Sequence, residues 1–562
     1  MKDSQTCDVI VVGAGAAGMA AALVLALKGL DVVLYEATDQ VGGTTSTSAG
    51  TLWVPGNSQA ARAGIFSDSV LAKKYLDEIL GEDAKPQLID AYLDTCAEAL
   101  DFLEKNSDVQ FASSGKHPDY IDLPGSVTHG RAVSPLPFDG RSLGREFSRI
   151  RPPIPEFMLF GGMMIGKADV QMLFERWSSL KGFLHTVRLV TRYVFDRFRF
   201  PRGTRLVMGN ALVARLYSSL IKQKVEVRFS FRLESLQFER GKIAGATFST
   251  ASGTVKTSAR LGVVLATGGV GHNMKLRDRL LHGANVKSSL AAESVRGDAI
   301  EAAEAIGAVV EEHQGGNFFW QPYSSVPRVA GNPGRFPHLF LDRAKPGLIA
   351  VNRHGMRFTN EADSYHHFVA EMLKSDQDRD GKFWLVCDAA FITRYGLGVV
   401  PPGTTSLMKW EKNGYLFTAP TIDVLAVKIH VSPTELSRTV DETNSMAKAG
   451  VDSKFGKGST ELNLFNGDAS HKPNPCLGPI EVPPYVALEI HAGDAAFSAG
   501  LAVDENGRVL NGLGAAIEGL YACGNDAASM MRGAYPGPGA TLGPAIVFAY
   551  RVASEISRDS SG

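Results

Sequence analysis

The chain has 562 residues, 44% of them apolar and 21% charged, with a formal net charge of −1. At ~150 residues per domain the length exceeds a single core and allows roughly two to four units. The composition is that of an ordinary globular enzyme, and the charge balance offers no electrostatic footprint for nucleic acid.

The first predicted elements organise the rest. Val9 to Val12 reads as a buried parallel strand, and it runs into Gly13-x-Gly15-x-x-Gly18 and an Ala/Leu/Val-rich helix. A second strand, Val32 to Tyr35, ends at Glu36 and Ala37. Gly13 permits the tight turn, Gly15 admits the backbone of a pyrophosphate, and Gly18 lets helix and strand pack closely. The helix start at Ala16 and Ala17 turns free N–H groups and a positive dipole end toward the phosphates. Glu36 is placed to accept ribose hydroxyls, and as an acid it disfavours a 2′-phosphate. Strand, glycines, helix, strand and acid in this order make a dinucleotide site.

The next stretch favours FAD over NAD. Gly42 to Gly50 is a loop of small residues, with Gly43, Thr44, Thr45, Ser48, Ala49, Gly50 and the following Thr51 read as cofactor contacts. It is similar to the segment of fumarate reductase/succinate dehydrogenase-like flavoproteins that runs under the isoalloxazine. It holds no His, so that resemblance implies FAD held non-covalently. No second Gly-x-Gly-x-x-Gly follows a strand, so NAD(P)H is not expected. Five cysteines without metal spacing, at 7, 96, 387, 476 and 523, read as reduced, packed thiols in a cytoplasmic protein.

Asp68 to Lys105 has the spacing of one or two amphipathic helices, and Ser107 to Pro155 is Pro- and Gly-rich loop of the kind that lines clefts. Leu180 to Phe200 mixes aromatics and aliphatics with Arg and Lys. It is read as a helix packed on its neighbour with snorkelling Arg stems. The alternative is peripheral contact with a membrane surface, suited to a lipophilic substrate or a quinone acceptor. Strands follow at Val225 to Phe231, Leu233 to Glu239 and Ile243 to Thr250, and then an apolar strand from Gly262 that ends in Ala266, Thr267 and Gly268. Asn273 and the Arg296-Gly297-Asp298 turn complete that group of expected cofactor contacts. Residues 275–481 read as an inserted catalytic domain, between an FAD-binding domain over 1–274 (with an excursion about 107–204) and its return over 482–562. The fold class is α/β: a Rossmann-like FAD-binding domain interrupted by a mixed α+β, substrate-covering domain.

Near the end, Gly519 to Asn525 (GLYACGN) with Asp526 precedes a Gly-rich loop that opens a helix at Ala540, Thr541 and Leu542. This matches the last FAD contact of the fumarate reductase-like superfamily, which makes Gly524, Asn525 and Asp526 cofactor residues. Tyr535-Pro-Gly-Pro-Gly539, RFTNEADSY ending at Tyr365, and the HPDY that carries Tyr120 resemble the 3-ketosteroid Δ1-dehydrogenases. The likeness spans nearly the whole chain and is loosest in the middle third.

The resemblance implies desaturation of a cyclic ketone, most simply a 3-ketosteroid at the 1,2 position. In it Tyr535 and the Gly539 N–H bind the carbonyl oxygen, Tyr365 takes the α-proton with Tyr120 hydrogen-bonded to it, and FAD accepts hydride. An external acceptor, a quinone or O2, would then reoxidise the cofactor. Two enzymatic alternatives stand beside it: a desaturase of a smaller ring such as 4-oxocyclohexanecarboxylate, and a fumarate- or urocanate-type reductase. The reductase needs arginines facing the cofactor, and only Arg532 lies near Tyr535 in sequence. A non-catalytic FAD module is the third. His129, His338, His366 and His367 read as surface or satisfied core rather than as acids.

Overall fold

The computed structural model describes residues 6–560, apart from 67, 167–168, 170–171, 174–178, 329–330, 341 and 377–380. The N-terminal unit forms as its pattern dictates: β1 (Thr6–Val12), α1 (Ala16–Leu27) and β2 (Val32–Glu36). α1 is apolar all round, and residues 16–25 are all buried. A helix of that kind needs neighbours on every side. It finds them in β1 and β2, in the helix Met208–Lys222 and in the C-terminal helix Leu542–Asp559.

An eight-stranded sheet supports this unit. Glu226–Phe229, β2, β1 and the C-terminal half of Gly253–Leu265 run parallel, and Ala516–Ala522 adds a further parallel strand as the chain returns. The strand expected to start at Gly262 begins at Gly253. Residues 250–253 form a tight turn in which Gly253 has φ +113° and Thr250 Oγ1 donates to Gly253 O. The polar residues after it pair antiparallel with Lys242–Thr250, which pairs in turn with Arg232–Glu239. Gly262 takes its place lower down, where a Cβ would collide with Gly519 O of the returning chain.

A second, antiparallel sheet has the order Ile349–Asn352, Phe383–Asp388, Tyr485–Ile490, Phe417–Ala419 and is covered by Ile422–Lys428 and Pro433–Ala449. It takes in the strand Tyr485–Ile490, which pairs along the whole of Phe383–Asp388. The next segment forms the strand Gly493–Phe497, which pairs with Phe318–Trp320 and sets that aromatic strand against the cleft.

Of the one or two helices expected after Asp68, two form: Ser69–Leu80, capped by the Asp68 carboxylate, and Pro86–Asn106. The helix Leu180–Arg197 corrects the sequence reading. Of its eighteen residues only Gly182, Leu189 and Asp196 are buried, while Leu180, Phe183, Leu184, Val187, Val194 and Phe195 are exposed. Its contact with the body is largely polar beside the buried Leu189: Asp196 accepts from Thr204 N and Oγ1 and pairs with Arg141, and Arg192 pairs with Asp139. Among the described residues no helix is long and apolar enough to cross a membrane.

Candidate active site

One long cleft runs along the C-terminal ends of β1, β2 and Gly253–Leu265 and continues past the strand Phe318–Trp320 to Leu339, Phe340 and Tyr365. Its first half is built from the glycine turn. Gly13 has φ +103° and a Cβ there would collide with Ala266 O, and a Cβ on Gly18 would collide with Gly13 O. At Gly15 a Cβ would point into open space, no closer than 4.0 Å to Thr45 Oγ1. Two glycines therefore serve close packing, and the third leaves room for a ligand. Glu36 Oε2 accepts from Ala14 N at 3.0 Å and Oε1 from Thr38 N at 2.9 Å, which fixes the carboxylate at the cleft edge.

The loop after the acid folds as a short helical turn, Gly43–Thr47. Thr45 Oγ1 accepts from Ala16 N at 3.2 Å, and Thr44 Oγ1 accepts from Ala292 N at 3.0 Å. Ser48 Oγ donates to Thr45 O and accepts from Gly50 N, so the loop is held by its own hydroxyls.

Of the residues expected to touch cofactor, Gly13, Gly15, Ala16, Ala17, Glu36, Ala37, Gly43, Thr44, Thr45, Ser48, Ala49, Gly50, Thr51, Ala266, Thr267, Gly268, Asp298, Gly524, Asn525, Thr541 and Leu542 all line this cleft. Gly18, Asn273, Asp526 and Ala540 do not. Asn273 caps the helix Met274–Leu281, accepting from Leu276 N and donating to Arg296 O. Asp526 lies fully buried behind the wall, where its carboxylate accepts from Thr267 N, from Thr267 Oγ1 and from Gly269 N at 2.8 Å. It ties the last strand to the Ala266–Gly269 turn, and burial raises its pKa to about 6. Gly524 brings that segment against α1, since a Cβ there would sit 2.9 Å from Ala17 Cβ. A long cleft with open N–H groups at two helix starts, an acid at one end and glycines where backbone must be bare fits a dinucleotide such as FAD.

The second half of the cleft gathers the three tyrosines. Tyr365 Oη donates to Tyr535 Oη at 2.8 Å, although the two lie far apart in the chain. The Tyr120 ring stacks on Tyr535 (centroids 5.8 Å, 12° between planes) and meets Tyr365 edge-on at 5.8 Å. Phe319 packs edge-on against Tyr535, and Phe340 packs against both other tyrosines. Gly539 lines the cleft beside them, and its N–H donates to no described residue.

Each tyrosine is positioned by its own device. Tyr535 and Gly539 share a loop pinned to the cofactor segment: Trp53 N donates to Gly539 O, and a Cβ on Gly539 (φ +88°) would collide with Thr51 O. Tyr120 N donates to Pro536 O at 2.8 Å, and Tyr75 Oη bonds the same carbonyl. Next to Tyr120, buried Asp119 pairs with Arg131 and accepts from Trp53 Nε1 at 2.8 Å. Tyr365 is the first residue of the helix Tyr365–Ser375, capped by Ser364 Oγ. The Arg357 and Glu361 that precede it in RFTNEADSY are structural. Glu361 is fully buried, paired with Arg357 at 2.9 Å and Lys457 at 3.3 Å, and Arg357 also reaches Asp452.

Burial dominates the electrostatics. It pushes Tyr120 and Tyr365 well above the ordinary tyrosine range and raises Tyr535 as well, against the opposing pull of its hydrogen bond from Tyr365. His366 stacks on Tyr535 at 5.8 Å and accepts from Trp320 N at its Nδ1. Burial lowers its pKa to about 3, so it is neutral at pH 7. Among the described lining residues there is no Arg or Lys. Arg532 is turned away, paired with Glu311 at 2.8 Å and Asp83 at 2.9 Å. Sequence reasoning missed Asp119, Arg131, Trp53, Phe319 and Phe340 as parts of this site. Their signal is burial and mutual contact, and the only local hint was the acid directly before Tyr120.

Comparison with known proteins extends the geometry. Residues 8–542 match the model of the FAD binding domain family. The chain is 38% identical to a 4-oxocyclohex-2-ene-1-carboxylate 5-dehydrogenase of Sinomonas cyclohexanicum, covering all of this chain and 96% of that one. It is 34% identical to a 3-oxosteroid 1-dehydrogenase of Mycobacterium tuberculosis, covering 99% of both. The crystal structure of a 3-ketosteroid Δ1-dehydrogenase from Sterolibacterium denitrificans, in complex with 1,4-androstadiene-3,17-dione, superimposes with a TM-score of 0.91 at 33% identity, over 99% of this chain and 100% of that chain.

Proposed function

The chain belongs to the FAD binding domain family, as an FAD-dependent oxidoreductase of its 3-oxosteroid 1-dehydrogenase-like group, and from that premise we propose that it desaturates a neutral, apolar cyclic ketone beside its carbonyl, most simply a 3-ketosteroid at the 1,2 position. The observation that carries the proposal is the meeting of Tyr365 and Tyr535, hydroxyl to hydroxyl, beside the Gly539 N–H, which donates to no described residue. Bound FAD, held non-covalently, supplies the hydride acceptor, and a quinone or O2 takes the electrons onward. The chain's own residues do the rest. Tyr535 accepts its hydrogen bond from Tyr365, which leaves its own proton for the ketone oxygen, and Gly539 N–H is the second donor. Two such donors hold the developing enolate, each worth on the order of 3 kcal/mol.

Tyr365 takes the α-proton. Burial disfavours a resting phenolate there, so as Tyr365 takes the α-proton it passes its own along its hydrogen bond to Tyr535, and Tyr535 passes its proton to the ketone oxygen. The place of Tyr365 at a helix N-terminus favours negative charge by ~0.3–1 kcal/mol. Phe157, Ile154, Leu339, Phe340 and Trp320 line the substrate end, and no described cation faces them, which favours an apolar ring over a carboxylate. That absence also counts against dicarboxylate reduction. The identity of 38% to an enzyme named for a ring carboxylate supports the smaller ring as the second reading.

Anaerobic bleaching of the yellow protein tests this. 4-Androstene-3,17-dione, 4-oxocyclohexanecarboxylate and succinate are added separately. Bleaching by the steroid supports the first reading, bleaching by the small ketone alone shrinks the substrate, and bleaching by succinate alone removes the tyrosine mechanism. Tyr535→Phe is expected to keep its flavin absorbance and lose about 100-fold or more in turnover.

A further inference from the structure

We propose, on the reading of Tyr365 as the base, that Arg343 is a positioning residue for its proton transfer, one guanidinium holding that tyrosine and the apolar wall at Phe340 in a single frame. Arg343 is fully buried. Its Nε donates to His338 O at 3.0 Å and its Nη2 to Leu339 O, on the stretch whose Leu339 and Phe340 line the cleft. Its Nη1 donates to Glu361 O at 2.8 Å, and Nη2 reaches Asp363 O at 3.4 Å, on the loop that runs into Tyr365. The guanidinium carbon lies 4.4 Å from the ring centre of Phe368, on the helix that Tyr365 begins, and 5.9 Å from that of Phe340. Phe340 in turn packs on Tyr365 and Tyr120.

Geometry selects arginine for this place. Carbonyls from two separate stretches converge on one buried point, and each needs a donor. A planar fork of N–H groups meets both stretches at once, whereas an ammonium is a single point on a flexible stem. Burial lowers the pKa of Arg343 to about 10, so it keeps its charge at pH 7. Hydrogen bonds from a charged donor in a dry interior are short and strong. Arg343 is not among the described residues that line the cleft, so it acts through Tyr365 and Phe340.

A second set of bonds fixes the wall side of this frame. Asp342 Oδ2 accepts from His338 Nδ1 at 2.6 Å and from Gly398 N at 3.2 Å, and Asp342 Oδ1 accepts from Arg343 N at 2.9 Å. His338 Nε2 is hydrogen-bonded to Ser324 Oγ at 2.8 Å, and Ser324 Oγ to Tyr415 Oη at 2.9 Å. Serine, histidine and acid stand in the order of a hydrolase relay. Ser324 and His338 are fully buried, however, and neither is among the described lining residues, so the chain of bonds holds the backbone at His338 and Leu339. Removal of a proton from carbon needs the base within reach of one C–H, and a misplacement of ~1 Å costs on the order of 100-fold. Arg343 ties the loop that delivers the base to the wall against which the substrate ring rests.

The test is anaerobic stopped-flow bleaching of the FAD-loaded enzyme by 4-androstene-3,17-dione, unlabelled and deuterated at the α carbon that loses its proton. 4-Oxocyclohexanecarboxylate takes its place if the small ketone alone bleaches the flavin. Arg343→Lys keeps the charge and loses the fork. It is expected to keep flavin absorbance and to bleach about tenfold or more slowly at saturating ketone. Its α-deuterium isotope effect should exceed the parent's, because proton removal has become slow, and the half-saturating concentration should move less than the rate. Loosened packing alone would lower the melting temperature without raising the isotope effect. If Arg343→Lys fails to hold flavin, Ser324→Ala decides in its place: it unties His338, leaves Arg343 present, and should move rate and isotope effect in the same directions. The proposal is overturned if the deciding variant bleaches at the parent's rate, or bleaches slowly with an unchanged isotope effect. Tyr365→Phe separates the two readings. Bleaching at the parent's rate there would remove Tyr365 as the base and overturn both, whereas a slow Tyr365→Phe beside a parent-like Arg343→Lys would overturn the role of Arg343 alone.

Discussion

Tyr535 sits between two partners that fix its hydroxyl and its ring: Tyr365 donates to its oxygen, and His366 stacks on its face. Trp320 N donates to His366 Nδ1, which makes His366 the Nε2–H tautomer and an acceptor at the other nitrogen. Protonation would break that bond inside an apolar cage. With its pKa lowered to about 3 by burial, His366 binds its proton more weakly folded than unfolded. His313, lowered to about 4, acts in the same direction. Each contributes stability that is whole above pH 6.5 and is lost as pH falls toward the folded value, at full loss on the order of 3 kcal/mol or more. Asp526 opposes them, because its raised pKa adds stability as pH falls through about 6. Comparison of variants separates the terms. His366→Gln, which can still accept from Trp320 N, is expected to lose stability less steeply than the parent between pH 6.5 and 4 in denaturant titrations. Equal slopes would mean that His366 is not held neutral. The resemblance named the three tyrosines and Gly539, and the structure brings them together in one cleft. Asp119, Phe319 and the protonation of His366 were not legible, because each depends on what is packed around it.

The loop Tyr535–Gly539 is stitched to the segment Thr51–Trp53, so the proposed carbonyl-binding donors and the small-residue loop are held as one piece. Gly539→Ala puts a Cβ onto Thr51 O at a φ of +88°. It should keep the bound flavin and lose about 100-fold or more in turnover, as a displaced oxyanion donor does. Turnover near the parent's would place the second donor elsewhere. At this scale the βαβ unit, the two helices after Asp68 and the return at Gly519 were all readable from periodicity and glycine spacing. The strand starting at Gly253 was not, since its first residues are polar and become a strand only by pairing with Lys242–Thr250. Nor was the orientation of Leu180–Arg197. A periodic apolar stripe tells which residues share a face, and here the inward face is the one with Gly182 and the paired Asp196.

The whole molecule closes its cofactor cleft with three stretches: residues 13–51, 266–298 and 524–545 supply its walls. A ligand that touches all three binds the folded chain alone, and at a hundredfold excess over its Kd it adds ~2.7 kcal/mol of stability. Stripping FAD should therefore lower Tm by several degrees, and adding FAD back should restore it along with the yellow colour. An apoprotein that melts with the holoenzyme would mean that these stretches hold one another without help. The α/β class and the nested second sheet followed from the order of elements, whereas the exact extent of the second sheet depended on Tyr485–Ile490 choosing its partners.

Asp526 adds an order in time. The turn at Ala266–Gly269 lies near the middle of the chain, but the carboxylate that gathers its N–H groups arrives only with the final strand. A growing polypeptide that has released its first domain from the ribosome still has one wall of the cleft missing. The cleft is therefore expected to hold its cofactor only once residues 524–545 have been made and have folded back onto that turn.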